Sequence, residues 1–236
     1  MLQSLDKFYF NCTNSYSLET IDTISPEKIA HSFANLPVDP YIKEKYRFRR
    51  LSSFKLANKD LIKLPHTPLF QSKKYNPLVG DVVRDFAELE QDLIELPDFQ
   101  ALVLEFGEFC KQCFTIKQIQ AKEISVHQIR TIANPEAIGC PAPEGIHRDG
   151  VELVGIFSVS RHQIEGAATS LYKEPKSEPV FNKILNPGEF IVFSDRAFFH
   201  FTSTIKALTA EVGTRDVFVL TYPGLRPPKN WVVGSR

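Results

Sequence analysis

The chain has 236 residues, enough for one domain with a substantial core. Lys plus Arg and Asp plus Glu number 28 each, and this zero net charge gives no electrostatic footprint for nucleic acid or an anionic membrane. No apolar run approaches the roughly 18–20 residues of a membrane span, the N-terminal segment lacks the basic and apolar regions of a secretory signal, and four scattered cysteines (Cys12, Cys110, Cys113, Cys140) make no disulfide framework, so a reducing, cytoplasmic location is expected.

In chain order, Ser25-Pro26-Glu27 reads as a helix start: a capping hydroxyl, a proline in the first turn and an acid beside it. From Val79 to about Glu95, apolar residues at Val79, Val82, Val83, Phe86, Leu89, Leu93 and Ile94 recur in threes and fours, which predicts a helix. Asp98 to Cys113, after Pro97, repeats that pattern and predicts a second. Cys110 and Cys113 lie on it without a second cysteine pair and read as packed core rather than a zinc or redox site.

From Phe114 the pattern changes to short alternating segments divided by Pro, Gly, Asn and Asp. Strands are expected over Ile124–Ala133, Leu153–Val159, Gly166–Tyr172, Glu189–Phe193, Phe198–Ile205 and Asp216–Thr221, with a turn at Asn186-Pro187-Gly188. The 19 Phe residues suit half-buried strands, and the 16 prolines interrupt the chain too often for a helical bundle. The expected architecture is mainly β: a helical and irregular N-terminal part (about 1–113), a jelly-roll-like β core (114–222) and an irregular tail (223–236), all one domain.

Three residues could hold a metal. His147 and Asp149 are two apart, so in extended chain their side chains point the same way. A distal imidazole, His200 in Phe198-Phe199-His200-Phe201, would complete the two-histidine, one-carboxylate set of non-haem Fe(II) oxygenases. Each piece also has a plain structural explanation: a surface His beside a solvated Asp, and a hydrogen-bonded core histidine. Arg215 opens the last strand, where alternation puts it on one face with Val217, Val219 and Thr221. A buried guanidinium needs an anion, either the distal carboxylate of 2-oxoglutarate or an internal partner such as Glu189 or Asp195. His127 is a barrel-lining candidate on its strand; His162 falls in a loop, and His31 and His66 in the N-terminal part.

The segment Gly139-Cys140-Pro141-Ala142-Pro143-Glu144-Gly145-Ile146-His147-Arg148-Asp149-Gly150 resembles the metal motif of a bacterial 2-oxoglutarate/Fe(II) dioxygenase family that includes L-isoleucine dioxygenase and other free-amino-acid hydroxylases. Further pieces resemble that family in order: Tyr46-Arg47-Phe48-Arg49-Arg50, Phe70 to Asn76, His127 to Arg130, Phe199-His200 and Arg215-Asp216-Val217. One departure is Gly166-Ala167, where many relatives carry two glycines, so a methyl could narrow a pocket or a turn there.

The resemblance implies a double-stranded β-helix, with His147, Asp149 and His200 as iron ligands and Arg215 on the 2-oxoglutarate tail. It implies Fe(II), 2-oxoglutarate and O₂ as cofactor and cosubstrates, with succinate and CO₂ formed as a small molecule, such as a free amino acid, is hydroxylated. Arg47, Arg49, Arg50 and Arg84 are candidates for the substrate carboxylate, or form a solvated basic face. Gln128 and Thr131 are candidates for the cosubstrate pocket; they lie on opposite faces of an ideal strand, so both fit only with a bulge. Two rivals stay open: an oxygenase acting on a peptide, protein or nucleobase, and a non-catalytic small-molecule-binding barrel. The sequence leaves oligomeric state undetermined.

Overall fold

The computed structural model describes residues 15–57, 60–115, 118–119 and 123–227. Among them, seven antiparallel strands form one large sheet in the order β1 (Tyr16–Thr20), β9 (Glu189–Ser194), β5 (Leu153–His162), β12 (Gly213–Tyr222), β4 (Ile124–Ala133), β2 (Arg47–Ala57) and β3 (Asp60–Lys63). Two small sheets stand opposite its inner face: β10 (Phe199–Thr202), β7 (Ala168–Tyr172) and β8 (Phe181–Ile184), and the pair β11 (Ile205–Ala207) with β6 (Ile164–Gly166).

The period-2 alternation of the strands decides which face each side chain joins. On β12, Phe218 and Leu220 face outward into a phenylalanine-rich core. Phe218 meets Phe33 and Phe99 edge-on, with ring centroids 5.1 and 5.6 Å apart. Its neighbours Val217 and Val219 face inward, toward the small sheets, with Ile156 and Phe193. The outer core is closed by α3 (Pro97–Cys113), whose buried stripe is Phe99, Leu102, Val103, Phe106, Phe109 and Cys110. Cys110 is a fully buried free thiol whose pKa burial pushes up, as a packed-core reading requires; Cys113, read with it as packed core, is instead disulfide-bonded. The short helix α1 (Pro26–Ala30) begins at the expected proline, and Ser25 donates its backbone N–H to Asp98 Oδ1 at 2.8 Å, tying α1 to the start of α3.

The first 113 residues are not the helical layer that the periodicity predicts. They supply β1, β2 and β3 to the large sheet beside α1, α3 and the four-residue α2 (Gln91–Ile94). The expected helix over 79–95 is turn and coil until Gln91. Asp81 sits at φ 59°, and Leu69 and Arg84 exchange backbone hydrogen bonds at 2.8 Å, so this stretch is pinned as extended chain that buries Phe86 and Leu89 singly.

The core strands lie where expected, with two corrections. The predicted strands Gly166–Tyr172 and Phe198–Ile205 each break near one end, at Ala167 and at Ser203-Thr204. The breaks face each other: Ala167 N–H donates to the Thr204 carbonyl at 3.2 Å and Ser203 N–H to Ala168 at 2.9 Å. Ala167 is left-handed at φ 59° and packs with Ala133, Ile164 and Ile205, so its methyl belongs to this kink and not to the pocket. Of the tail expected over 223–236, residues 223–227 lack regular structure and the rest lies outside the described residues, as does Cys12. No helix among the described residues is long and apolar enough to cross a membrane.

Candidate active site

The loop between β4 and β5 carries His147 and Asp149, and it runs along β11 and β10 as an added edge. Gly139 exchanges backbone hydrogen bonds with Ile205 (3.0 and 2.9 Å), and His147 with His200 (3.0 and 2.8 Å). That second bridge sets the two imidazoles side by side, centroids 4.2 Å apart. Asp149 lies between them: its Oδ1 is 3.6 Å from His147 Nε2, and its Oδ2 is 3.7 Å from His200 Nε2. Ligand atoms of all three residues lie within 4.8 Å of one another, which is the only such group of three among the described residues.

Surrounding groups hold this trio. Gly145, at φ 78°, turns its carbonyl to accept from His147 Nδ1 at 2.8 Å, which fixes the ring and leaves Nε2 toward Asp149. Asp195, in the turn after β9, accepts from the backbone N–H groups of Asp149, Gly150 and Val151 at 3.0, 2.7 and 3.1 Å. The same carboxylate stands 3.7 Å from His200 Nδ1. Gln71 donates to the Asp149 carbonyl and to its Oδ1, at 3.0 and 3.1 Å.

The electrostatics suit a cation site. Burial alone would depress His147, but the adjacent Asp149 carboxylate overrides it and pushes the imidazole up to about 9. Burial and then His147 push His200 down to about 3. Asp149 is held well below the usual carboxylate range: burial opposes its charge, but His147 and His200 prevail. Burial, then the charge of Asp149, raises Asp195 to about 7. Two imidazoles and a carboxylate converging without metal repel or protonate one another; a divalent cation would relieve both.

The trio opens on a cavity of about 110 Å³ inside the barrel, lined from β2, β4, β5, β12 and the segments 69–84 and 141–149. At one level of the sheet, Arg47, Thr131, Arg215 and Arg161 form a row across four strands. Arg215, Val217, Val219 and Thr221 all line the cavity, as the alternation predicts. Arg215 is 5% exposed, and no carboxylate among the described residues is within ion-pair distance of it. Glu189 pairs with Lys183 instead, and Asp195 bonds the backbone of the loop between β4 and β5. Burial, then Arg161, lowers Arg215 to about 10, so it remains charged at neutral pH. The Thr131 hydroxyl beside it is buried without a partner. A cation and a hydroxyl left open side by side fit the carboxylate end of a small dianion.

Thr131 therefore faces the cavity. Gln128 does not: β4 and β12 pair without a bulge, so Gln128 lies on the outer face and donates to Ser32 Oγ at 2.8 Å. Of the four candidate arginines, Arg47, Arg49 and Arg84 line the cavity. Arg50 points outward, donating to the Glu88 carbonyl (2.9 Å) and Glu90 Oε1 (2.8 Å), because residues adjacent on a strand face opposite sides. Arg47 and Arg49 share the fully buried Asp39, at 2.8 and 3.8 Å. Arg49 also donates to His127 Nδ1 and stacks 4.2 Å over Phe86; burial, then Arg47, lowers its pKa to about 9. His127 lines the cavity as a neutral ring, its pKa depressed by burial and then by Arg49.

The sequence alone points to no role for Gln71, Asn76, Glu144 or Arg161, and offers Asp195 only as an internal partner for Arg215. Phe70–Asn76 and Glu144 lie within segments that resemble the family, which is the signal available for Gln71, Asn76 and Glu144.

L-isoleucine-4-hydroxylase of Bacillus thuringiensis is 26% identical over 155 residues, 65% of this chain and 64% of the relative. The 3(1)-hydroxy-L-isoleucine 4-dioxygenase of Pantoea ananatis is 24% identical over 135 residues, 57% of this chain and 54% of the relative. The match thus spans less than two thirds of either curated relative. Among solved structures, a bsmA homologue of Methylobium petroleophilum PM1 superposes with TM-score 0.76 at 26% identity, covering 86% of this chain and 82% of that one. The structure named IDO from Bacillus thuringiensis superposes with TM-score 0.68 at 21% identity, covering 83% and 81%, and supports the fold. Residues 30–221, which contain the trio, Arg215 and every lining residue except Leu225, match the family described as 2OG-Fe dioxygenase, and the chain belongs to it.

Proposed function

We infer that this chain, as a single domain, is an Fe(II)- and 2-oxoglutarate-dependent dioxygenase that hydroxylates the side chain of a free amino acid. The observation that carries this reading is the His147-Asp149-His200 trio opening on the same small cavity as the uncompensated Arg215. In this reading the trio holds Fe(II), and Arg215 with Thr131 holds the distal carboxylate of 2-oxoglutarate. Bound Fe(II) supplies oxidising chemistry: 2-oxoglutarate and O₂ become succinate and CO₂ as one oxygen atom is inserted into a substrate C–H bond.

The side chains of this protein bind, orient and exclude water. The Gly145 carbonyl holds His147, Asp195 holds the loop between β4 and β5, and Gln71 fixes the Asp149 carboxylate. Ile156, Val217 and Val219 give the cavity an apolar wall that suits an aliphatic side chain. An arginine from the N-terminal half takes the substrate carboxylate. The substrate class rests on that polar and apolar lining and on relatives whose names specify L-isoleucine and a hydroxy-L-isoleucine.

Succinate release, measured with Fe(II), 2-oxoglutarate and each of the proteinogenic amino acids in turn, tests the reading. Succinate coupled to a hydroxylated amino acid is expected. Coupled product with a peptide, protein or nucleobase and none with any free amino acid would leave the dioxygenase class standing and overturn the substrate. No succinate with any substrate, from iron-loaded protein, would favour a binding barrel.

A further inference from the structure

We propose that Arg84 and Glu144 form a two-pole subsite that binds the carboxylate and ammonium of an α-amino acid. This rests on the free-amino-acid reading and specifies how it is recognised.

The cavity is lined by four arginines and two acids, and most of these charges are already accounted for. Arg47 and Arg49 share Asp39. Asp149 lies between the two histidines, and Arg215, which has no resident counter-ion among the described residues, is the cation already assigned to the 2-oxoglutarate tail. That leaves Arg84 and Glu144. Among the described residues neither has an opposite charge within ion-pair distance, although both line one small cavity. The guanidinium of Arg84, on a residue only 2% exposed, makes one hydrogen bond, from Nη2 to Gln71 Oε1 at 3.1 Å, and its Nε is buried without a partner. Glu144 accepts one, from Asn76 Nδ2 at 3.0 Å.

Two amides hold these charges apart. Asn76 Nδ2 also donates to Gln71 Oε1 at 3.0 Å, so the order is Arg84, Gln71, Asn76, Glu144. Asn76 cannot flip without loss, because its Oδ1 accepts from the backbone N–H groups of Leu78 and Val79 at 3.2 and 3.0 Å. A cation and an anion fixed in one cavity but kept from pairing complement a ligand carrying both charges in the reverse order. An α-amino acid is that ligand. Gln71 also bonds Asp149, so the subsite is braced against the metal trio, and the substrate side chain is left facing the aliphatic wall.

Calorimetry without oxygen, with Fe(II) and 2-oxoglutarate present, tests this with the aliphatic L-amino acids and the carboxylic acids of the same skeletons lacking the amino group. Glu144→Gln removes the charge but keeps an acceptor for Asn76. It should weaken the best-bound amino acid about tenfold or more and leave its des-amino acid nearly unchanged. Glu144→Asp should retain the preference for the amino acid at reduced affinity, and checks that the loop between β4 and β5 folds when altered here. Arg84→Gln should weaken both ligands alike, with affinity for 2-oxoglutarate unchanged. If wild type binds amino acids and Glu144→Gln keeps the full preference over the des-amino acids, the subsite is wrong and the amino-acid reading survives. If wild type binds no free amino acid, that reading fails and this assignment falls with it.

Discussion

Gln71 reaches Asp149 with one amide nitrogen and bonds it twice, at the backbone carbonyl (3.0 Å) and at Oδ1 (3.1 Å). A residue from an irregular N-terminal segment thereby sets the orientation of a carboxylate more than seventy positions away. Outer groups of this kind tune metal affinity. Gln71→Leu keeps the volume and removes the amide. Fe(II) affinity, read by anaerobic titration, should fall about 10- to 100-fold with the far-ultraviolet dichroism unchanged. An unchanged affinity would mean that Asp149 is held by Asp195 and the loop backbone alone.

Arg215 has no resident counter-ion among the described residues. Arg215→Ala should raise the KM for 2-oxoglutarate by an amount corresponding to about 2–5 kcal/mol, because a buried carboxylate is left unpaired. Arg215→Lys should recover only part, since an ammonium cannot present the two-pronged fork. A KM that does not move in Arg215→Ala places the cosubstrate tail elsewhere.

Asp39 is fully buried and is the carboxylate between Arg47 and Arg49. Asp39→Ala leaves two buried guanidiniums without it and should cost about 3–5 kcal/mol in urea unfolding. A loss under about 1 kcal/mol would show that water or cavity ligands, rather than Asp39, neutralise this pair.

Metal affinity should depend on pH with a definite sign. In the metal-free protein Asp149 outweighs the burial of His147 and raises it to about 9, so below that pH a metal must displace a proton. Apparent Fe(II) affinity, or that of a redox-inert divalent stand-in, should rise about tenfold per pH unit toward 9 and then level off. The His147–Asp149 pair works oppositely on the metal-free fold. Its contribution is fully present below the ordinary imidazole pKa of 6.5 and is lost as pH rises through about 9. A metal affinity that is flat between pH 7 and 9 would contradict the protonated pair.

Much of the β core was legible because its signals are local and periodic. β4 runs over Ile124–Ala133 as its alternation predicts, and Arg215 shares a face with Val217, Val219 and Thr221 for the same reason. The candidate trio was legible residue by residue, His147 and Asp149 by their two-residue spacing and His200 as a distal imidazole, but the His147–His200 backbone bridge that brings them together is a long-range pairing. β2 was hidden by its charges. Arg47 and Arg49 face the interior, where the loop residue Asp39, eight positions before Arg47, offsets their charge. The stretch 79–90 misled because spacings of three and four also arise when extended chain buries occasional side chains against a sheet. Glu144 and Asn76 lie in irregular chain, where no period marks a side chain as facing inward.

The central claim is that His147, Asp149 and His200 together hold Fe(II) beside an Arg215-anchored 2-oxoglutarate. The most direct measurement is the visible charge-transfer absorption that Fe(II) develops when a 2-oxo acid chelates it, recorded without oxygen on wild type and on His147→Ala, Asp149→Ala and His200→Ala, each checked for fold by circular dichroism. The band should appear in wild type on adding both Fe(II) and 2-oxoglutarate and be lost or greatly weakened in every one of the three variants. A band of wild-type intensity at equal Fe(II) in any of them would contradict the assignment.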